Sequence, residues 1–241
     1  MVYISVSLVG FEIGQRVNRR KFLELNMDLN GEENVDISHW VFLCQTEEHS
    51  VLIDSGPYDG KLLKKNGRGE YKFYNDIITL LSEYVLPSKI DFIILTHLHW
   101  DHCANCNLFP NARVIVQRDE IKYTLNHIPI HNRFYDVDSL RFLDSHRNVE
   151  LIDGNVEISE FINVVKSPGH TPGSQSIVVK HNKARIAFQG DNYTLGTGNP
   201  PGISSSILDW WNSSEKIKHL SDVTIPTHDP SAGILLKRAT D

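Results

Sequence analysis

Four side chains that can bind metal ions lie within a span of six residues. His97, His99, Asp101 and His102 form the pattern H-x-H-x-D-H directly after an apolar run, residues 90–95. Residues two apart in an extended segment point the same way, so His97 and His99 can bind one ion. Asp101 and His102 lie at the turn into the next segment and can hold a second ion close by. The pattern therefore predicts a metal centre at the end of a buried strand.

Three further candidate ligands follow later in the chain. His170 lies in the Pro/Gly-rich segment 167–174, where a rigid backbone can hold a ligand in place. Asp191 follows an apolar strand, and His228 follows the last predicted strand. A histidine after a strand is usually an ordinary loop residue. The occurrence of all three residues, in this order after the first motif, nevertheless indicates one site assembled from distant parts of the chain.

Apolar runs and turn residues predict strands with helices between them. Residues 40–44 and 50–54 flank a polar turn and are expected to form a hairpin that ends in Asp54-Ser55-Gly56. Many strands with interspersed helices fit two packed sheets with helices outside. The predicted strands are 2–9, 40–44, 50–54, 90–95, 113–117, 161–165, 175–180, 185–189 and 223–225, and the predicted helices are 75–86, 120–126 and 205–220.

Composition narrows the classes of protein. The chain has 241 residues, 40% of them hydrophobic, and no repeat or linker, so a single domain over residues 1–241 is expected. A net charge of −6 without a dense Lys/Arg run argues against a nucleic-acid partner. No apolar run approaches the roughly 20 residues that cross a bilayer, and no signal peptide is evident. With only three cysteines, a reduced cytoplasmic protein is expected.

The seven candidate ligands resemble, in order and approximate spacing, the ligand set of the metallo-β-lactamase superfamily. The matching motifs run from residue 54 to residue 228. The resemblance implies an α/β fold, an αββα sandwich of two mixed β-sheets with helices on the outer faces and the site at one edge. It also implies that Asp54 supports the metal-binding loop. One ion would be held by His97, His99 and His170, the other by Asp101, His102 and His228, with Asp191 as the bridge.

The residue types within this resemblance favour hydrolysis. Histidine nitrogen and carboxylate oxygen suit two divalent ions, with Zn²⁺ expected and iron or manganese as alternatives. A glutamate in place of His99 would have indicated the di-iron redox branch of the superfamily. Asp191 stands where classical β-lactamases often carry cysteine, which argues against antibiotic hydrolysis.

Within the superfamily the chain looks most like the N-acyl-homoserine lactonase group. Segments 22–30, 96–102 and 107–112 carry this resemblance, together with Val116 and Gln117. It implies a quorum-quenching lactonase acting on an N-acyl-homoserine lactone or a similar cyclic ester. Two ions would activate water and polarise the substrate carbonyl, and an acid would protonate the leaving alkoxide.

Two residues are candidates for catalysis beside the metals. Either Asp101 or a metal-bound water is the candidate donor of the proton to the leaving alkoxide. Tyr193 comes two residues after Asp191, whereas the lactonase group has a tyrosine three residues after its bridging aspartate. Tyr193 therefore either hydrogen-bonds the substrate carbonyl or serves in packing.

Three other functions stay open from the sequence. They are a thioesterase of the glyoxalase II type, a nucleic-acid-processing phosphodiesterase, and a non-catalytic binding protein on the same fold. A homodimer is left open, and the pair Trp210-Trp211 is a candidate for a substrate pocket or a dimer surface. Cys103 and Cys106 are interpreted as buried thiols, and His131 as a solvated loop residue.

Overall fold

β-Strands with apolar side chains on both faces form the centre of the protein. The computed structural model describes residues 6–19, 34–65, 71–135, 137–145 and 147–241. Within these ranges the strands are β1 (Ser7–Arg19), β2 (Asn34–Gln45), β3 (Ser50–Ile53), β4 (Lys72–Phe73), β5 (Phe92–Ile94), β6 (Arg113–Gln117), β7 (Val149–Ile152), β8 (Val156–Ser159), β9 (Ile162–Lys166), β10 (Gln175–His181), β11 (Ala184–Phe188) and β12 (Val223–Ile225).

Helices occupy the connections between the strands. The helices in the described part of the chain are α1 (Gly60–Lys65), α2 (Ile77–Leu81), α3 (Trp100–Cys103), α4 (Arg118–Leu125), α5 (Val137–Leu140), α6 (Phe142–Ser145), α7 (Ile207–Leu220) and α8 (Ala232–Thr240). Short 3-10 turns add Pro87–Lys89, Cys106–Leu108, Pro129–His131 and Gly190–Asn192. None of the described helices combines the length and the apolar character that crossing a membrane requires.

The strands form two mixed sheets. The first has the order β4-β1-β2-β3-β5-β6-β7, in which the pairs from β3 to β7 are parallel and the others antiparallel. The second has the order β12-β11-β10-β9-β8, and only β11 and β12 pair in parallel. The prediction of two mixed sheets is confirmed.

Alternating side chains divide the core into layers. In β3, Ile53 joins the cluster between the two sheets, where Phe42 and Phe188 pack with ring centroids 4.6 Å apart. The neighbouring Leu52 points to the opposite face and packs in the cluster beneath the outer helices of the first sheet. On the second sheet, Ile217 of α7 packs against the outer face. The layers therefore run helix, sheet, sheet, helix, as the predicted αββα sandwich requires.

Nine of the twelve predicted elements agree with the structure within two residues, and three differ in extent. The predicted strand 40–44 begins earlier, at Asn34. The first strand runs from Ser7 to Arg19 instead of over residues 2–9, and residues 2–5 of that prediction lie outside the described residues. The predicted helix 75–86 is helical only from Ile77 to Leu81. Several elements were not predicted at all, among them helix α8, which packs Leu236 into the core between the sheets.

The ends of several strands meet at one edge of the sandwich. The parallel strands β3 and β5 end at the same edge of the first sheet, and β9, β11 and β12 run in the same direction in the second. Gln175 links the two sheets there: its backbone N–H donates to the Thr96 carbonyl at 2.9 Å, and its amide donates to the Leu95 carbonyl at 2.7 Å. Residues that follow these strands are therefore brought together.

Gly173 offers a test of the contact between α4 and the loop after β9. A Cβ at this position would lie 2.1 Å from the backbone nitrogen of Glu120 and 2.3 Å from its Cα, so the backbone itself would have to move. We expect Gly173→Ala to lower the free energy of unfolding by about 1–3 kcal/mol, the usual cost of overpacking. Urea denaturation measures this loss. Gly60→Ala is the matched control, because its Cβ would meet no atom closer than 3.9 Å. Equal losses in the two variants would contradict the predicted clash.

Candidate metal centre

The first histidine motif lies where β5 gives way to helix α3. His97 and His99 are in the short extended segment after the strand, and His99 is the residue that precedes the first turn of α3. Asp101 and His102 are in that turn. All four side chains are buried. The structure thus places the motif where the sequence predicted it, after a buried strand.

The first group of candidate ligands comes from two loops and a strand end. The ligand atoms of His97, His99, His170 and Asp191 all lie within 4.8 Å of one another. His99 Nδ1 and His170 Nε2 are 3.0 Å apart, and His170 Nε2 lies 3.4 Å from Asp191 Oδ2. Nitrogen ligands of a tetrahedral zinc ion, each about 2 Å from the metal, lie about 3.3 Å apart. These separations therefore suit one shared ion.

The second group shares Asp191 with the first. His102 Nε2 lies 3.1 Å and His228 Nε2 lies 3.0 Å from Asp191 Oδ1. Asp101 approaches the same group, with its Oδ2 3.8 Å from His228 Nε2. The structure therefore brings together all seven side chains that the sequence singled out as ligands.

Asp191 is placed to face both groups. Its Oδ1 is directed to His102 and His228, whereas its Oδ2 faces His97 and His170. The short turn that carries Asp191 begins at Gly190, whose φ is +55° and whose Cβ would lie 2.6 Å from the side chain of Thr96. Only glycine allows this left-handed conformation and this close approach at low cost.

Unpartnered polar atoms test whether the residues fit metal ions. His97 Nε2, His102 Nε2 and Asp191 Oδ1 are buried and form no aligned hydrogen bond among the described residues. Buried polar atoms are rarely left in this way, because each costs free energy. Lone pairs that converge without hydrogen bonds are the arrangement that cations satisfy. Five imidazoles and two carboxylates around this volume fit two divalent ions of the zinc type.

Hydrogen bonds on the far side of the rings set their orientation. Asp54 Oδ2 lies 2.8 Å from His102 Nδ1 and also accepts the Thr96 hydroxyl at 2.9 Å. The Nδ1 atoms of His170 and His228 lie 2.6 and 2.9 Å from backbone carbonyls. An acceptor at Nδ1 keeps the proton there, so that Nε2 presents its lone pair to a metal. Asp54 thus contacts the metal-binding loop as the resemblance implied.

Glu120 joins the two loops that carry the first group. Its buried carboxylate accepts the Leu98 N–H at 3.0 Å, the Tyr135 hydroxyl at 2.9 Å and the Thr171 hydroxyl at 2.6 Å. Burial raises the pKa of Glu120, and these donors partly offset that rise. Glu120 carries no sequence signal of this role, because a glutamate in a predicted helix is typical of a solvated surface.

Burial and charge act differently on the two groups. Burial lowers the pKa of His97 and of His99 well below the ordinary value, so both rings are neutral, as metal ligands must be. Burial by itself would lower the pKa of His102. The carboxylates of Asp191 and Asp54 raise it by more than this, so the pKa lies well above its ordinary value. Burial raises the pKa of Asp191, but His228 and His102 bring it well below the ordinary range. The carboxylates around the second group of ligands therefore favour positive charge there.

Tyr193 follows Asp191 by two residues and lines a small cavity. Its hydroxyl donates to the Gly196 carbonyl at 3.0 Å. The side chain lines a cavity of about 180 Å³ together with Trp210 and Trp211. Trp210 is buried and donates its indole N–H to the Asn192 carbonyl at 2.9 Å, whereas Trp211 is 54% exposed. One tryptophan thus serves the core and the other reaches the surface.

Two buried histidines near the centre were not predicted as such. His131 was interpreted as a solvated loop residue, but its side chain is buried and its ring centroid lies 5.2 Å from that of His99. His39 was not singled out at all, yet its Nε2 lies 3.1 Å from Asp101 Oδ2. Burial lowers the pKa of His39 to about 4 and that of His131 to about 3. Neither shows a sequence signal, since each lies outside the H-x-H-x-D-H motif.

The two cysteines near the motif are buried thiols, as interpreted from the sequence. Cys103 contacts the Leu98 carbonyl, with its sulfur 3.4 Å away, and Cys106 Sγ lies 3.5 Å from the Ser55 hydroxyl. Burial raises the pKa of Cys106 to about 12. A thiol with such a pKa stays protonated near neutral pH and is a poor nucleophile or ligand.

Metal analysis of the purified protein tests this centre. After dialysis against zinc and removal of excess metal, we expect about two zinc ions per chain, because two ligand groups share Asp191. His102→Ala removes one ligand of the second group only, so we expect its content to fall to about one ion. His219→Ala, a change on the exposed face of α7, should retain both ions. Two tightly held ions in the His102 variant would contradict the proposed division into groups.

The sequence matches a known protein family and resembles curated relatives. Residues 34–228 match the metallo-β-lactamase superfamily. An N-acyl homoserine lactonase of Bacillus sp. is 26% identical over 171 residues, which cover 66% of this chain and 65% of that protein. The matched part thus spans about two thirds of the length of that curated relative.

Solved structures share the architecture over nearly the whole chain. An N-acyl homoserine lactone hydrolase with the product N-hexanoyl-L-homoserine at its catalytic metal centre superposes with a TM-score of 0.78, at 21% identity and 95% coverage of each chain. A dizinc quorum-quenching lactonase in complex with a product superposes with a TM-score of 0.72, at 18% identity, and the match covers 96% of this chain and 90% of that one. With its fold and a family match over most of its length, this chain belongs to the metallo-β-lactamase superfamily.

Proposed function

We propose that this protein is a metal-dependent hydrolase that opens a lactone ring, with an N-acyl-homoserine lactone as its substrate class. The observation that carries the proposal is the position of Asp191, whose two carboxylate oxygens each face one group of buried ligands. Further support comes from the relatives, since the Bacillus protein bears the name N-acyl homoserine lactonase.

Two zinc ions are the proposed cofactors. His97, His99 and His170 would hold one ion, and Asp101, His102 and His228 the other, with Asp191 between them. Nitrogen and carboxylate ligands suit zinc, and a solved lactonase of the same fold is described as dizinc. Two ions in such a site supply Lewis acidity, which lowers the pKa of water and polarises a carbonyl group.

Asp101 is the residue proposed to move the proton. As the oxygen of a water molecule bonds to the lactone carbonyl carbon, Asp101 takes up a proton from that water. It then delivers the proton to the ring oxygen as the bond between this oxygen and the carbonyl carbon breaks, which yields the open hydroxy acid. Burial raises the pKa of Asp101, but the hydrogen bond from His39 and the charge of His102 bring it well below the ordinary value. The residue is therefore ionised at the start of the cycle.

A substrate panel tests the proposed reaction. We expect the zinc-loaded protein to hydrolyse N-acyl-homoserine lactones faster than a glutathione thioester, a phosphodiester or a β-lactam, each followed by the mass or absorbance of its product. His102→Ala should lose this turnover while its circular dichroism stays native, because the second ion is lost. A faster reaction with the thioester would favour a glyoxalase II type of enzyme instead. Unchanged lactone turnover in the His102 variant would contradict the metal mechanism.

Tyr193→Phe tests the proposed role of the phenol. We propose that the Tyr193 hydroxyl exchanges its bond to the Gly196 carbonyl for one to the substrate carbonyl oxygen. Removal of one donor to a developing oxyanion lowers kcat on the order of 10²-fold, so we expect a loss of that size with unchanged zinc content. Steady-state kinetics with a homoserine lactone measures it. A variant with wild-type kcat would identify Tyr193 as a packing residue.

A further inference from the structure

His39 is a buried histidine in direct contact with a candidate ligand but outside the predicted ligand set. It lies on β2 and is only 1% exposed. Its Nε2 is 3.1 Å from Asp101 Oδ2. The rings of Tyr71, Trp100 and His228 surround it, with centroids 5.3, 5.7 and 5.1 Å away. Packing on three sides leaves the ring little freedom to turn away from Asp101.

The chemistry of the contact determines which atom carries the proton. An ionised carboxylate oxygen can only accept a hydrogen bond. His39 Nε2 must therefore carry the hydrogen and donate it to Asp101. This hydrogen bond holds Oδ2, the same oxygen that lies 3.8 Å from His228 Nε2, and so fixes the orientation of the carboxylate. A carboxylate without such a partner can rotate about its bond to Cβ.

The two histidines of the second group, His102 and His228, are each oriented by a hydrogen-bond acceptor at Nδ1. Asp54, directly after β3, accepts from His102, and the Ser38 carbonyl of β2 accepts from His228 Nδ1 at 2.9 Å. The Ser38 N–H also donates to the His228 carbonyl at 2.9 Å. The hairpin of β2 and β3 thus orients both histidines of this group, and His39, next to Ser38 on β2, contacts the third ligand.

We propose that His39 is a positioning residue that orients the Asp101 carboxylate for the second metal ion. This inference rests on the proposed two-metal function. The ligand atoms of His102, Asp191 and His228 converge, and Asp101 and His39 form a second cluster with the same His228. Zinc prefers four ligands, and His102, Asp191, His228 and Asp101 complete that number without His39. His39 is therefore assigned to Asp101 and not to the metal. Loss of such an outer hydrogen bond weakens metal binding about 10- to 100-fold.

Zinc affinity in three variants tests this role. The amide nitrogen of glutamine reaches the position of a histidine Nε2, whereas that of asparagine reaches only the position of Nδ1. We expect His39→Ala and His39→Asn to weaken binding of the second zinc ion by about 10- to 100-fold, measured by competition with a chromogenic chelator. His39→Gln should restore the affinity to within a few-fold of the wild type. The first zinc ion should bind with unchanged affinity in all three variants.

His181→Gln is the matched control. His181 also lies on a strand, and its Nε2 is 3.1 Å from the Thr240 carbonyl, far in sequence and away from the ligand groups. We expect this variant to bind both ions as the wild type does. If His39→Ala fails to fold, the comparison of His39→Gln with His39→Asn still shows whether a donor at the Nε2 position is needed, because both variants introduce an amide of similar polarity.

Three outcomes would overturn the inference. Wild-type affinity in His39→Asn would show that the hydrogen bond is not needed. Equal weakening in the glutamine and asparagine variants would indicate that His39 binds the ion directly or acts only through packing. Loss of the first ion together with the second would indicate a general structural defect. Failure of the proposed function is distinguishable, because the wild-type protein would then bind fewer than two zinc ions or leave lactones intact.

Discussion

The sharing of one largely buried carboxylate, Asp191, between two sets of histidines is the constraint on which this structure depends. A carboxylate buried in an apolar sandwich is costly unless cations or hydrogen bonds compensate it. Here the neighbouring atoms are imidazole nitrogens at 3.0–4.0 Å. Such an arrangement becomes favourable when positive ions occupy the space between these groups. The strand ends of both sheets supply the residues, and the two sheets must therefore stay in register for the site to exist.

The relative position of the two sheets is maintained by buried polar residues outside the candidate ligand set. Asp54 ties the end of β3 to the loop after β5, and Gln175 ties that same loop to the second sheet. Glu120 accepts hydrogen bonds from Leu98 and Thr171 and so joins the loops that carry His99 and His170. Each of these side chains is buried and hydrogen-bonded, so removal of one would leave several partners without a bond. The stability of the fold and the geometry of the centre are therefore coupled.

The candidate ligand groups and the small cavity are built from different residues. The ligand groups lie at the strand ends, whereas Tyr193, Trp210 and Trp211 line the cavity together with Thr224 of β12. A common metal centre can serve different substrates when only the adjacent surfaces change. His39 contacts Asp101 from β2, a strand of the first sheet, at 3.1 Å. In the proposed role it acts on the orientation of Asp101 and not on a substrate.

Much of the centre could be predicted from the sequence, because metal ligation demands particular side chains at particular spacings beside an apolar strand. The H-x-H-x-D-H motif and the later ligands met these demands, and the αββα layers followed from the alternating strands and from the family resemblance. Glu120 and His39 could not be predicted in this way. Their partners lie tens of residues away, at Thr171 and Asp101, and a glutamate or histidine in isolation carries no sign of burial. Only the folded chain brings such residues together, because packing of the sheets and loops, and not local pattern, determines which polar groups lose their water.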